Sequence, residues 1–400
     1  MNLLVLSTWF PYPPDNGSKL RAYYLIKALS ESHQVTVVSF CPPDTIHRPA
    51  AAPSDRIRLY PVAADPFQHV TRPTWMKFAS PRPVIYWPNG VMQQALQDVA
   101  ATSTWHAVIA IQGPVAPYAL RFKQLPKILD VDTALSFQMR MRHGDQADSR
   151  RNLRTWISWQ KAHRYERSLF RKFQLCCVAG QMETAYMQSL VDGTQQCRVE
   201  VVANGVDCQH NQPGAAPTRS DSLIYNGALT YSANFDAVQF FLADIYPQIK
   251  REVPTVSLTV TGSTSGVDTT GMRLDNSVRL SGYVEDMRPV VGGSTICVVP
   301  IRQGSGTRLK ILEAMALGTP VISTTKGAEG IEARHGEHLL LADDAASFAA
   351  GTLRLVRDAA LRQRLAANAR RLVEEHYDWS RLGERFTGLV EDAVQRQTLQ

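Results

Sequence analysis

The chain has 400 residues, enough for two domains that each bury a hydrophobic core. Hydrophobic residues make up 44% and charged residues 20% of it, which is ordinary for a globular protein. No apolar run of about 18 residues or more occurs, so the sequence predicts no transmembrane helix. The apolar start, Met1–Ser7, lacks a basic n-region and is expected to form a buried strand, not a signal peptide.

The net charge of +7 is concentrated in one region. Residues 121–172 hold 13 Lys and Arg against 5 Asp and Glu, a local balance of +8, so the rest of the chain is close to neutral. Such a region indicates an anionic partner: a membrane surface, a nucleic acid or a phosphorylated substrate. The six cysteines show no metal-ligand spacing and are expected to be reduced core thiols of a cytosolic protein.

The first half of the chain predicts alternating strands and helices. A strand at 3–7, a helix at 19–30 and a strand at 34–40 form the opening of a Rossmann-like unit. The loop between them, Asp15-Asn16-Gly17-Ser18, is not G-x-G-x-x-G, so a dinucleotide fingerprint is absent. The further predicted elements are strands at 57–63, 106–111, 127–131, 174–179 and 198–203, helices at 89–101 and 149–173, and an irregular segment at 66–88.

A second series of strands and helices follows a polar boundary. The boundary, Asn204-Gly205-Val206-Asp207 with residues 209–221, separates a predicted N-terminal domain, 1–205, from a C-terminal domain, 206–379. Two successive series predict an α/β fold with two parallel-sheet domains and a cleft between them. The elements of the second series are strands at 222–226, 256–261, 278–280, 296–300, 321–324 and 339–341, and helices at 234–250, 286–291, 309–317, 345–357, 359–377 and 380–395.

The most informative stretch is Gly304–Pro320, a glycine-containing loop followed by a helix. Gly304 and Gly306 allow a sharp turn and a close approach to a ligand. Ser305 and Thr307 are residue types that favour helix N-caps. The pattern therefore predicts a ligand-facing loop that ends in a capped helix.

Charged residues at the start of this helix predict an anion site. Arg308 and Lys310 add two cations to the free N–H groups and the helix dipole, which together suit a phosphate. Glu313 shares a helix face with Lys310 and can accept hydrogen bonds from hydroxyls, such as those of a ribose. The alternative interpretation is a helix with two surface-facing charges.

With its neighbours, this stretch resembles a known family. Gly304–Pro320, preceded by Gly282-Tyr283-Val284-Glu285-Asp286 and followed by Gly327-Ala328-Glu329-Gly330, looks like the donor-binding region of retaining, nucleotide-sugar-dependent glycosyltransferases of the bacterial "group 1" class, family 4. The resemblance implies the GT-B fold: two Rossmann-like parallel-sheet domains facing each other across a cleft, with the last helix, 380–400, packing back on the N-terminal domain. The form Gly-Thr-Arg-Leu-Lys-Ile-Leu-Glu suggests the exopolysaccharide and lipopolysaccharide branch.

The resemblance also implies the reaction and its residues. It implies metal-independent hexosyl transfer from a nucleoside-diphosphate sugar, without a further cofactor, to a glycan or lipid-linked acceptor in the cytoplasm or at the inner membrane face. Asp15 and Asn16 would contact the acceptor, and Arg308 and Lys310 would be catalytic. The implied donor-binding residues are Gly17, Gly227, Gly262, Tyr283, Gly304, Ser305, Gly306, Thr307, Arg308, Lys310 and Glu313.

The chain departs from the family pattern at three places. The family commonly has two glutamates separated by seven residues; Glu313 matches the second, but the first falls at Ser305. The family often holds the diphosphate with an Arg and a Lys where this chain has Asn226–Ser232, so we expect Arg308 and Lys310 to replace them. No histidine stands in Ile111-Gln112-Gly113-Pro114, and no catalytic base is assigned.

Two further features leave alternatives open. Asp130-Val131-Asp132 has Asp-x-Asp spacing but follows an N-domain strand, and is interpreted as structural rather than metal-binding. The segments 149–173 and 66–88 interleave tryptophan with arginine, which suits an anionic membrane surface. The alternative is a solvated helix whose aromatic side chains enter the core.

Three other functions compete with sugar transfer. A GT-B-fold sugar-nucleotide epimerase would need carboxylates and histidines that cannot be placed. A degenerate homologue serving as a scaffold is favoured by the missing first glutamate and the missing histidine. A nucleic-acid binder could use the basic helix, but it leaves the nucleotide-type site unexplained, and no nucleic-acid partner is predicted.

Overall fold

The computed structural model describes residues 1–43, 54–144, 149–193, 197–214, 216–304 and 306–398. The chain divides into unit 1, Met1–Ala203 with Leu382–Gln400, and unit 2, Asn204–Arg381. Both junctions lie two residues from the predicted boundaries at 205 and 379.

Unit 1 is built on a parallel sheet. Among the described residues its strands are β1 (Asn2–Ser7), β2 (Gln34–Cys41), β3 (Ile57–Ala63), β4 (Ala107–Ile111), β5 (Lys127–Asp132), β6 (Leu175–Val178) and β7 (Arg198–Val201). They lie in the order β3-β2-β1-β4-β5-β6-β7, and every neighbouring pair is parallel. Leu3–Leu6 and all of β4 are fully buried, as expected for central strands covered on both faces.

The helices of unit 1 include four that the sequence analysis did not predict, namely α2, α4, α5 and α7. The helices are α1 (Gly17–Ser32), α2 (Thr74–Ala79), α3 (Gly90–Ala100), α4 (Ala116–Ala119), α5 (Leu135–Gly144), α6 (Ser149–Phe170) and α7 (Gln181–Val191). The proline-rich segment 66–88 holds α2 and two short 3₁₀ turns, Gln68–Thr71 and Val84–Tyr86.

Unit 2 repeats the same strand order. Its strands are β8 (Ser222–Asn226), β9 (Ser257–Thr261), β10 (Val278–Gly282), β11 (Ile296–Val299), β12 (Val321–Ser323) and β13 (Leu340–Leu341). Their order, β10-β9-β8-β11-β12-β13, is all parallel and corresponds to the 3-2-1-4-5-6 order of a Rossmann sheet. The predicted α/β fold with two Rossmann-like sheets is therefore confirmed.

One helix of unit 2 is interrupted where a single helix, 234–250, was predicted. The helices are α8 (Ser232–Phe240), α9 (Tyr246–Glu252), α10 (Arg288–Gly292), α11 (Leu309–Ala316), α12 (Ala345–Arg357) and α13 (Ala359–His376). The last helix, α14 (Trp379–Thr398), begins in unit 2 and belongs to unit 1 from Leu382 onward. A π-helical turn, Phe241–Ile245, separates α8 from α9. Pro247 cannot donate a backbone hydrogen bond to the carbonyl of Ala243, and the Arg273 guanidinium donates to that carbonyl instead at 3.2 Å.

Two sequence expectations concern side chains and membrane spans. All six cysteines are buried and free, which confirms the predicted core thiols. In the described part of the chain, no helix is both long and apolar enough to cross a membrane.

Candidate functional site

The candidate donor residues of unit 2 gather at one edge of its sheet. Gly227 directly follows β8, Gly262 follows β9 and Tyr283 follows β10, while Gly304 lies five residues after β11. The carboxyl ends of parallel strands share one edge, and that edge is where open α/β sheets bind ligands. The structure thus brings together residues that are far apart in the sequence.

Two glycines let the loops of this edge touch. Gly262 has φ +100°, and a Cβ built on it would lie 2.5 Å from the backbone nitrogen of Ala228. A Cβ on Gly227 would lie 2.5 Å from the Lys310 Nζ. Gly262 therefore requires glycine, because its φ is positive and a side chain would meet backbone, whereas a side chain at Gly227 would push the Lys310 ammonium aside.

Lys310 places an ammonium group of lowered pKa at this edge. Its Nζ donates to the Asn234 Oδ1 at 3.0 Å and lies 4.0 Å from the centre of the Tyr225 ring. Burial lowers the pKa of Lys310 to about 7, and the Arg308 charge acts in the same direction. An anion beside this amine would favour its protonated form, so the group is suited to binding phosphate.

Arg308 occupies the N-cap position of α11, which corrects one prediction. The helix begins at Leu309, and no side chain in the described part of the chain caps it. Thr307 is therefore not the N-cap, and Ser305 lies outside the described residues. Arg308 is only 8% exposed, and its Nη2 donates to the carbonyl oxygen of Gln303 at 3.3 Å. This bond fixes the guanidinium across the base of the glycine loop.

Glu313 lies one turn further along α11. Its Oε2 accepts a hydrogen bond from the Asn226 Nδ2 at 3.1 Å. Burial raises the pKa of Glu313, and the Lys310 charge opposes this shift. The carboxyl group therefore stands within the same cluster of side chains as the tuned amine, and both lie beside the end of β8.

The remaining donor-side residues differ in surroundings. Tyr283 is 77% exposed, which is unusual for a tyrosine and leaves its ring available for stacking. Gly304 and Gly306 have φ values of +93° and +91°, and among the described residues that do not adjoin Gly306, none has an atom within 4 Å of a Cβ built on it. Thr307 is partly buried, and its Oγ1 lies 3.6 Å from a Cβ built on Gly330.

In unit 1, the residues assigned to the acceptor form a helix start. The Asn16 Oδ1 accepts a hydrogen bond from the Lys19 backbone N–H at 3.1 Å and caps α1, in which Gly17 is the first residue. Asp15 pairs with the Lys19 ammonium at 2.9 Å. The cap accounts for the Asn16 side chain, and the Asp15 carboxylate remains 45% exposed.

A buried ion pair that the sequence analysis missed lies next to this helix start. Arg21 is 1% exposed and Asp130 is 0% exposed. The Arg21 Nε donates to the Asp130 Oδ2 at 2.8 Å and its Nη2 to Oδ1 at 2.6 Å. Burial opposes the Arg21 charge, but the Asp130 carboxylate outweighs it and the pKa of Arg21 is raised. This bidentate pair supports the structural interpretation of Asp130.

Three polar side chains lie around this pair, and the sequence analysis gave none of them a role in binding. Gln112 and Asp132 have φ values of +74° and +58°, a strained backbone for residues other than glycine. Burial raises the pKa of Asp132, against hydrogen bonds from Ser18 and Gln112, and raises the pKa of Glu183 to about 7. The buried Gln112 Oε1 has no hydrogen-bond partner in the described part of the chain. This edge of unit 1 therefore presents groups that accept hydrogen bonds.

Metal-ligand groups were sought as well. Among the residues that the structure describes, no group of three or more His, Cys, Asp or Glu side chains could hold a metal ion.

Comparison with known proteins identifies similar sequences for part of the chain. Residues 220–358 match the family model described as "Glycosyl transferases group 1". An uncharacterized 44.6 kDa protein in the cps region of Klebsiella pneumoniae is 27% identical over 165 residues. That match covers 39% of this chain and 42% of the relative, so the chain spans less than half of the relative's length.

Solved structures match over nearly the whole chain. Sucrose-phosphate synthase from Thermosynechococcus elongatus matches with a TM-score of 0.74 at 17% identity. The match covers 98% of this chain and 99% of the synthase. HepE of Anabaena in complex with UDP and glucose has a TM-score of 0.67 at 14% identity, and the match covers 98% of this chain and 100% of HepE. WaaG, a glycosyltransferase involved in lipopolysaccharide biosynthesis, has a TM-score of 0.65 at 13% identity, covering 97% and 99%. These likenesses show the GT-B fold, and the family match at residues 220–358 lies within unit 2.

Proposed function

We propose that the chain is a retaining, family 4 glycosyltransferase that moves a hexose from a nucleoside-diphosphate sugar to a glycan or lipid-linked acceptor. Its product would be a cell-surface polysaccharide of the exopolysaccharide or lipopolysaccharide type. The observation that carries the proposal is Lys310, an ammonium of lowered pKa beside two glycine loops at the ligand-binding edge of a Rossmann sheet. Support comes from HepE, a relative in fold that was solved with UDP and glucose, and from the relative in a cps region.

The donor would bind along the unit 2 edge. Lys310 and Arg308 would neutralise the diphosphate, and the Glu313 carboxylate would accept hydrogen bonds from the ribose hydroxyls. The nucleotide base would stack near the exposed Tyr283, and the donor sugar would lie by the loop that contains Ser305. Because Ser305 stands where the family has a glutamate, the sugar contact in this protein would use a hydroxyl in place of a carboxylate.

Catalysis would rest on charge stabilisation of the leaving group. As the bond between the anomeric carbon and the diphosphate oxygen breaks, negative charge develops on the diphosphate, and preorganised cations stabilise it. The acceptor oxygen would attack from the same face, and its proton would pass to the departing phosphate. That route retains the anomeric configuration and uses no protein nucleophile.

The acceptor would bind at the carboxyl edge of the unit 1 sheet. Asp15 offers an exposed carboxylate there, whereas the Asn16 Oδ1 already caps α1. Asp132 and Glu183 add two buried carboxyl groups of raised pKa, which can exchange hydrogen bonds with sugar hydroxyls.

Thermal denaturation with a nucleotide panel tests this function. UDP, GDP, ADP and CMP would each be added with and without EDTA, and one diphosphate is expected to raise the melting temperature under both conditions. At 100 times its dissociation constant a ligand stabilises by about 2.7 kcal/mol, which corresponds to a shift of about 5–10 °C for a domain of this size. If no nucleotide shifts the melting temperature, the scaffold alternative is favoured. A shift that EDTA removes and Mn²⁺ or Mg²⁺ restores would contradict metal independence.

We further propose that the protein binds the cytoplasmic membrane face through α6 and α2. Leu153, Trp156 and Ile157 on one face of α6 are 64%, 47% and 37% exposed, and Trp75 of α2 is 70% exposed. Exposed apolar side chains beside the arginines of α6 are typical of interfacial helices.

Vesicle co-sedimentation tests this surface. The double variant Leu153→Ser/Trp156→Ser is expected to bind phosphatidylglycerol vesicles at least about tenfold more weakly, because both substitutions remove apolar area from the interface. Leu274→Ser, which removes a leucine of unit 2 that is 43% exposed, is the control and should bind like the unmodified protein. If the double variant binds the vesicles as well as the unmodified protein does, the proposed membrane surface is rejected.

A further inference from the structure

Unit 1 contains a cavity that none of the proposed roles uses. Its volume is about 300 Å³, the lower end of the range for small-molecule sites. The segment before α3, the α4 helix and the end of α6 border it, and it is partly open to solvent. Arg121 lies between α4 and β5 and Lys172 lies between α6 and β6, near the ends at which these strands begin. The carboxyl groups assigned to the acceptor lie instead where the strands end.

The charged groups of this cavity are all positive. Arg82, Arg121 and Lys172 line it, and its lining contains no carboxylate. In the described ranges none of the three cations forms an ion pair. The Arg82 guanidinium lies 5.6 Å from the centre of the Tyr165 ring, which restricts its orientation. Three uncompensated cations around one concave surface repel one another and attract a multiply charged anion.

The rest of the lining is largely apolar. Leu96, Pro117 and Leu169 contribute hydrocarbon surface between the cations. The Tyr118 hydroxyl accepts a hydrogen bond from the Asn89 backbone N–H at 2.8 Å, so its own proton remains available to donate to another acceptor. A ligand that fills the cavity must therefore join an anionic group to an apolar one.

We propose that this cavity binds a phosphate monoester that carries an apolar group. Such a group bears about −1.5 to −2 charges near pH 7 and offers three acceptor oxygens, which matches the three cations. The apolar part would rest on the leucine and proline side chains. Two sources have this chemistry: a soluble phosphate ester and the headgroup of a membrane lipid such as phosphatidic acid.

Isothermal titration calorimetry with phenyl phosphate tests the cavity. Arg121→Gln with Lys172→Gln is expected to weaken phenyl phosphate binding at least about tenfold. Ser168→Phe, which fills the cavity without changing its charge, should have a similar effect because Ser168 lines it. The matched control is Arg58→Gln with Lys123→Gln, which removes the same charge from exposed positions of unit 1 outside the cavity. The proposal would be overturned if the unmodified protein, the two cavity variants and the control all bound phenyl phosphate with equal affinity. It would also be overturned if only the control bound phenyl phosphate more weakly.

Two further measurements distinguish the ligand's source. Inorganic phosphate should bind more weakly than phenyl phosphate, because it lacks the apolar group. Co-sedimentation with phosphatidic acid vesicles should fall in both cavity variants, and not in the control, if the source is a lipid headgroup. Loss of phenyl phosphate binding with unchanged vesicle binding assigns a soluble ester. Binding of neither probe by the unmodified protein would reject the site.

Discussion

Replacing Arg21 with methionine is expected to lower the free energy of unfolding by about 3–5 kcal/mol. The variant keeps most of the aliphatic volume but leaves the Asp130 carboxylate, which is 0% exposed, without its bidentate partner. Urea denaturation followed by tryptophan fluorescence measures the stability of unit 1, which contains Arg21 and Asp130. Six of the seven tryptophans lie in unit 1, so their emission reports the unfolding of this unit.

A second substitution separates the buried charge from simple loss of packing. In Arg21→Met with Asp130→Leu, both charges are gone, and most of the lost stability should return. Arg58→Met, at an exposed position of the same unit, should change stability by no more than about 0.5 kcal/mol. If the double variant is as unstable as Arg21→Met, the loss comes from packing and not from an unpaired carboxylate.

The elements around the donor edge were predictable because their signals are local. Gly304, Gly318 and Pro320 set the turn before α11 and the end of the helix within 17 residues of sequence, and the apolar run between them indicated burial. The assignment of the N-cap was wrong for a physical reason. A capping side chain contributes only about 1 kcal/mol, so the packing of an almost fully buried helix decides where it begins.

The contacts that tune the site could not be read from the sequence. Lys310 meets Asn234, which is 76 residues away, and Arg21 meets Asp130, which is 109 residues away. These pairs form because parallel strands bring distant loops to one edge of the sheet. The spacing of residues in the sequence does not indicate which of these distant residues meet. The positive φ of Gln112 and Asp132 was equally hidden, since glutamine does not favour it and aspartate, although enriched there, adopts it only occasionally.

Lys310→Met is expected to weaken binding of the preferred nucleoside diphosphate by about 10- to 100-fold. A hydrogen bond to a charged group contributes about 1.5–3 kcal/mol, and methionine keeps the apolar stem against the Tyr225 ring while removing the charge. Calorimetric titration measures the dissociation constant, and the melting temperature of the unliganded variant verifies folding. Arg302→Met is the matched control: it removes a cation just before the glycine loop, but one that Asp236 already neutralises at 2.7 Å. Its affinity should stay within about twofold of the unmodified protein.

The pH dependence of this loss identifies the ammonium as its cause. Because the pKa of Lys310 is lowered to about 7, the amine is protonated below that pH and loses its proton above it. A bound phosphate raises this pKa, so the affinity advantage of the unmodified protein over Lys310→Met should be largest near pH 6 and should shrink toward pH 9. Taking the ratio of the two dissociation constants at each pH cancels the titration of the nucleotide itself. A constant ratio across this range would mean that Lys310 acts by packing alone, and the proposed phosphate contact would then have to be withdrawn.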